Sequence, residues 1–208
     1  MIRSFGPSAI AMALICLGFS SSSRAEFLTY VAVLDGPSEA PPVDSPGTGF
    51  ATLQFDSVAH TLHLSVTFSG LIGETTASHI HGPTAVPGAG TAGVATQVPT
   101  FVDFPLGVTS GSYDHTFDTS LDSFYNPAFL NNNGGTALLA EAALASSLAA
   151  GTAYLNIHST FARGGEIRGF FTLVPEPSSV VMMGLGIAGL MGYAGRGLRR
   201  ASVVRQSS

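Results

Sequence analysis

The chain has no lysine and no tryptophan, and its single cysteine, Cys16, stands near the N-terminus. Each absence closes a class of function. Without lysine, glycine-rich stretches such as Gly88-Ala89-Gly90 cannot serve as phosphate loops, which also need a strand-loop-helix setting. Without tryptophan, a carbohydrate-stacking face would depend on Tyr113, Phe124 and Tyr125. With no second cysteine there is no internal disulfide, so the fold must stand on its hydrophobic core. Basic charge is scarce as well: residues 26–174 hold only Arg163 and Arg168 against twelve acidic residues, a formal charge of −10. Such a surface repels nucleic acid, suits a protein kept soluble by charge, and is compatible with divalent cations. No Gly-x-Ser-x-Gly elbow is present, and no motif ties an acid to a histidine. The expectation is therefore a non-enzymatic protein that requires no cofactor.

What is present divides into three parts. Residues 1–25 read as a secretory signal peptide, with Arg3 at its start, an apolar run at 9–19, and Ser23-Arg24-Ala25 as a cleavage site for signal peptidase. Leu14-Ile15 precedes Cys16 where a lipobox needs a small residue, which argues against lipidation. Residues 26–174 form the domain. Period-2 alternation and β-branched or aromatic enrichment predict strands at 27–35, 50–56, 62–68, 78–82, 101–104, 111–117, 153–158 and 166–173. Residues 36–49 carry four prolines and must be a loop, and 121–135 reads as an irregular connection. One helix is predicted at 136–150, with Thr136 as N-cap, Leu138, Ala142, Ala145 and Leu148 as its apolar positions, and Gly151 closing it. Short strands, Gly/Pro turns and one short helix imply a mainly β fold, an antiparallel β-sandwich of Greek-key, immunoglobulin-like or superoxide-dismutase-like type.

Residues 175–208 change character. Pro175-Glu176-Pro177 breaks the sheet, 178–195 are free of charge, and Arg196, Arg199 and Arg200 follow. The uncharged run is predicted to be a transmembrane helix, and the arginines to mark a cytoplasmic end.

The chemistry gathers on two alternating stretches, Ser78-His79-Ile80-His81-Gly82 and Tyr154-Leu155-Asn156-Ile157-His158. If Ile80, Leu155 and Ile157 face a core, then His79, His81, Asn156 and His158 share the opposite side. Glu166 and Arg168, flanking an inward Ile167, would join them. His79, His81 and His158 have spacing suited to one copper or zinc ion, with Glu166 as a fourth ligand. Arg168 opposes a cation and would pair with Glu166. The plainer alternative is a structural polar network of Asn156, Glu166, Arg168 and the histidines that fixes strand register, and on sequence grounds it stands ahead of the metal.

Two resemblances extend this reading. Leu34-Asp35-Gly36, Glu39-Ala40-Pro41-Pro42, Ala77-Ser78-His79-Ile80-His81-Gly82, Gly151-Thr152-Ala153-Tyr154-Leu155-Asn156-Ile157-His158 and Gly164-Gly165-Glu166-Ile167-Arg168-Gly169 resemble a CHRD domain. That family supplies a fold more than an activity. Pro175-Glu176-Pro177, the apolar span and the arginines resemble the PEP-CTERM sorting signal of Gram-negative bacteria. The resemblance implies an exosortase-type partner, passage through the inner membrane, and association with exopolysaccharide and biofilm. Together they lead to the expectation of an exported protein, membrane-anchored or exosortase-processed. It would have a structural or binding role at the cell envelope or matrix, meeting exopolysaccharide or envelope proteins. The alternative is a small histidine-ligated metal-binding or redox protein.

Overall fold

A computed structural model describes residues 27–175, together with 184–187 and 189. The expected signal peptide, Glu176, Pro177, Arg196, Arg199 and Arg200 lie outside those residues. So does most of the expected span at 178–195, of which 184–187 and 189 are helical. Among the described residues no helix is long and apolar enough to cross a membrane.

The first three strands form an antiparallel meander: β1 (Leu28–Asp35), β2 (Thr48–Asp56) and β3 (Thr61–Ser69). Alternation does the work. Tyr30, Ala32 and Leu34 on β1, Ala51, Leu53 and Phe55 on β2, and Leu62, Leu64, Val66 and Phe68 on β3 are buried, while their neighbours face outward. The chain then crosses to the far edge for β4 (Thr75–His81) and returns for β5 (Gly111–Asp118) beside β3. A 3-10 turn (Asp122–Phe124), α1 (Pro127–Asn132) and α2 (Ala137–Ala149) lead into β6 (Tyr154–Ser159), β7 (Ile167–Phe170) and β8 (Thr172–Leu173).

All eight strands belong to one antiparallel sheet of order β4-β6-β7-β1-β2-β3-β5, with β8 also on β1. The expected sandwich of two separate sheets is thus a single curled sheet. The start of β4 and the crossover before it are tied to the segment that leads into β5: Thr75 N–H donates to Val108 O (2.8 Å), Gly107 N–H to Thr75 O (2.9 Å), and Leu71 N–H to Thr109 O (3.1 Å). These bonds cover part of the edge that β4 would otherwise leave bare.

Three local expectations are corrected. Residues 101–104 form a turn rather than a strand, with Asp103 in the left-handed region at φ 57°. Phe101 and Phe104 plug the core from that turn, Phe104 lying 5.7 Å from the Phe68 ring. Residues 121–135 are not wholly irregular, because Asn126 caps α1 through Ala128 N–H (2.9 Å) and Pro127 opens it. The last expected strand is broken at Phe171, which turns into the core and donates its N–H to Ala153 O (3.0 Å).

The face of α2 is corrected too. Thr136 does cap the helix, but its core side is Ala137, Ala140, Leu144 and Leu148, while Leu138 is 66% exposed. Glu141 is buried on that side because Thr119 Oγ1 donates to it (2.6 Å) and His60 Nδ1 lies 2.7 Å from its other oxygen.

Candidate metal centre

Strands β4 and β6 pair with Ala77 opposite His158, His79 opposite Asn156 and His81 opposite Tyr154. Ile80, Leu155 and Ile157 enter the core as expected, which sends His79, His81 and His158 to the other face. That face is not open to solvent. The connection from 82 to 110 runs back along edge strand β4: Ile80 N–H donates to Thr96 Oγ1 (3.0 Å), Ser78 N–H to Thr100 Oγ1 (2.9 Å), and Ala95 N–H to Ile80 O (2.9 Å). In satisfying the edge it covers the histidines, leaving His79 6% and His81 8% exposed.

Each imidazole is oriented by one backbone carbonyl. His79 Nε2–H donates to Pro99 O (2.7 Å), His81 Nδ1–H to Ala92 O (3.0 Å), and His158 Nδ1–H to Arg163 O (2.9 Å). A carbonyl only accepts, so these bonds fix the tautomers and leave lone pairs on His79 Nδ1, His81 Nε2 and His158 Nε2. Those three nitrogens are buried and have no hydrogen-bond partner among the described residues. The three side chains can also offer one nitrogen each within 4.8 Å of the others. The ring centroids stand 5.2–5.8 Å apart.

Electrostatics keep the cluster neutral. Burial lowers the proton affinity of all three rings, and the neighbouring His158, His79 and Arg168 help take His81 down to about 4. Neutral imidazoles with one N–H anchored on a carbonyl and the other nitrogen free are the form that ligates a transition metal.

The other expected site residues divide. Glu166 is fully buried but stands apart from the imidazoles, accepting from Ser45 Oγ (2.6 Å), Ile72 N–H (2.6 Å), Gly73 N–H (3.1 Å) and Ser159 Oγ. It precedes β7, outside the strand alternation that would have aimed it at the histidines, so the expected fourth ligand is absent from the cluster. The expected Glu166–Arg168 pair is replaced by Arg168 with Glu39, whose Oε2 lies 3.7 Å from Nε. Arg168 also donates to Ser38 O and Gly90 O (2.8 Å), fastening the β1–β2 loop and the β4–β5 connection to β7. Asn156 donates to Gly164 O (3.3 Å) and bonds no imidazole. Hence the expected mutual network of histidines and Asn156 does not form.

Sequence reasoning gave no role to Glu39 or Tyr154. Burial raises the Glu39 pKa to about 7 against the pull of Arg168 and the Ala40 N–H. Tyr154 stacks on His81, centroids 4.9 Å apart and planes 10° apart, and the Arg168 guanidinium sits 4.9 Å from the same ring. The alternation that placed His158 also placed Tyr154 on this face, and was the available signal.

A family model described as CHRD domain matches residues 30–171, a span that begins inside β1 and contains β2 to β7 with His79, His81 and His158. The chain belongs to the CHRD family. A second family model, described as PEP-CTERM protein-sorting motif, matches residues 173–200 and begins on β8, just past the end of the CHRD match. That motif marks an exported protein handled by exosortase-type sorting machinery. No curated protein and no solved structure matches the chain. Pro175, the first residue of the expected Pro-Glu-Pro motif, directly follows Val174, whose N–H donates to Thr29 O (2.8 Å).

Proposed function

We propose that the protein is an exported CHRD module that holds one transition-metal ion, copper or zinc, on His79, His81 and His158. The observation that carries this reading is the set of three buried, unpartnered ring nitrogens, each opposite an N–H anchored on a backbone carbonyl. Leaving three such acceptors unsatisfied costs about 1–3 kcal/mol each, and coordination removes that cost. The purely structural network favoured by the sequence loses ground because the histidines bond neither one another nor Asn156.

Around this centre the rest of the chain acts as an address. Signal peptidase removes residues 1–25, the span at 178–195 pauses in the inner membrane of a Gram-negative cell with its arginines inside, and an exosortase-type enzyme acts at Pro175-Glu176-Pro177. The domain then works at the cell envelope or in the exopolysaccharide matrix, binding or structural rather than catalytic.

The test is metal analysis of the purified full chain after dialysis against copper or zinc. One equivalent is expected in the parent and none in a His79→Ala/His81→Ala variant that still melts cooperatively. A parent that holds no metal while the double variant merely melts earlier would return the histidines to a packing role.

A further inference from the structure

The donor set carries no charge. Among the histidine, cysteine and acidic side chains of the described residues, the group that could share an ion consists of His79, His81 and His158 alone, with no carboxylate or thiolate in it. The charged side chain that bears on the cluster is Arg168, whose guanidinium lies over the ring that stacks on His81. Glu39, the carboxylate paired with Arg168, is itself buried and engaged with that arginine. A cation seated between the three nitrogens therefore meets neutral imidazoles, with the Arg168–Glu39 pair rather than a free anion beside it.

Two physical arguments then bear on the choice of ion. The cost of burying a charge rises with the square of that charge, so a dication without a compensating anion is far more expensive here than a monocation. Zinc completes four ligands, in a three-histidine site by taking a water, and the three nitrogens here are buried from solvent. Imidazole ligands suit copper and zinc alike, so charge and coordination number decide between them, and cuprous ion accepts three-coordinate sites.

We infer that the three-histidine centre selects monovalent copper over zinc and over cupric ion. This rests on the proposed metal-binding function and narrows it to one ion and one charge.

The experiment uses the purified full chain under anaerobic conditions. Cuprous ion is titrated against bathocuproine disulfonate as competitor, zinc against a chromophoric zinc chelator, and cupric ion is followed by electron paramagnetic resonance. One cuprous ion per chain is expected, bound at least about 100-fold more tightly than zinc, and cupric-loaded protein should lose its signal under mild ascorbate. His158→Asp adds one negative charge to the donor set and should lower the cuprous-to-zinc preference by about tenfold or more, with the fold checked by circular dichroism. Zinc or cupric ion held as tightly as cuprous ion would overturn the selectivity while leaving the metal-binding function intact. No stoichiometric metal of any kind would overturn both. A His158→Asp protein that folds and keeps the parent preference would overturn the charge argument.

Discussion

Glu166 shows how much one side chain can hold together when it is misread as a surface ligand. Its carboxylate gathers donors from the loop after β1, from the crossover between β3 and β4, and from the end of β6. Burial alone would raise its pKa, but the bonds from Ser159, Ser45, Ile72 and Gly73 outweigh that and hold it below the ordinary value of 4.5. The folded state therefore prefers the charged form. Its contribution is complete above the unfolded pKa and is lost as the pH falls through the lower folded value. Glu166→Gln should cost about 2–4 kcal/mol in urea unfolding at about pH 7. The gap between parent and variant should narrow at about pH 3. An equal gap at both pH values would mean that the carboxylate's charge is not what matters. At this scale the histidines were legible because alternation alone aims them. Glu166 was not, because it sits one residue outside its strand and its partners come from distant segments.

At the scale of elements, the loop between β4 and β5 does two jobs with the same residues. Thr96 is fully buried, and its hydroxyl accepts from Ile80 N–H while the backbone beside it reaches back to Ile80 O. Clamped there, the loop presents the Ala92 and Pro99 carbonyls to His81 and His79. Thr96→Val keeps the shape but leaves a buried N–H without its acceptor. Thermal or urea unfolding should show a loss of about 1–3 kcal/mol. Copper or zinc affinity should fall as well, because the carbonyls that orient two imidazoles lose their tether. A variant less stable yet unchanged in metal affinity would separate the clamp from the site. The strands were readable from the sequence because each buries one face. The loop was not, since its glycines, prolines and alanines have no period to announce which backbone atoms meet edge strand β4. Helix α2 failed for a related reason: alanine and leucine surround it, so apolar residues mark no single side, and buried Glu141 sits where the pattern expects solvent.

For the whole molecule, the junction between domain and sorting tail constrains how the protein can be processed. Strand β8 pairs Leu173 with Tyr30 and Thr172 with Val31, and Val174 N–H extends the ladder to Thr29 O. The sorting-motif match begins at residue 173, inside that ladder. Cutting upstream of Val174 would remove partners from β1, and β1 is the strand that joins the β2-β3 half of the curled sheet to the β6-β7 half. Each lost backbone bond costs about 0.5–1.5 kcal/mol, a serious fraction of a marginal total. A sorting enzyme that releases a folded domain must therefore cut at or beyond Pro175. Mass spectrometry of the C-terminal peptide from the protein recovered outside the cell should place its last residue at 174 or later. In the same preparation, residues 172–174 should resist added protease while the domain is folded. A mature product ending before Thr172 that still melts at the parent temperature would show that β8 is dispensable, and that the sheet closes without the strand that leads into its export signal.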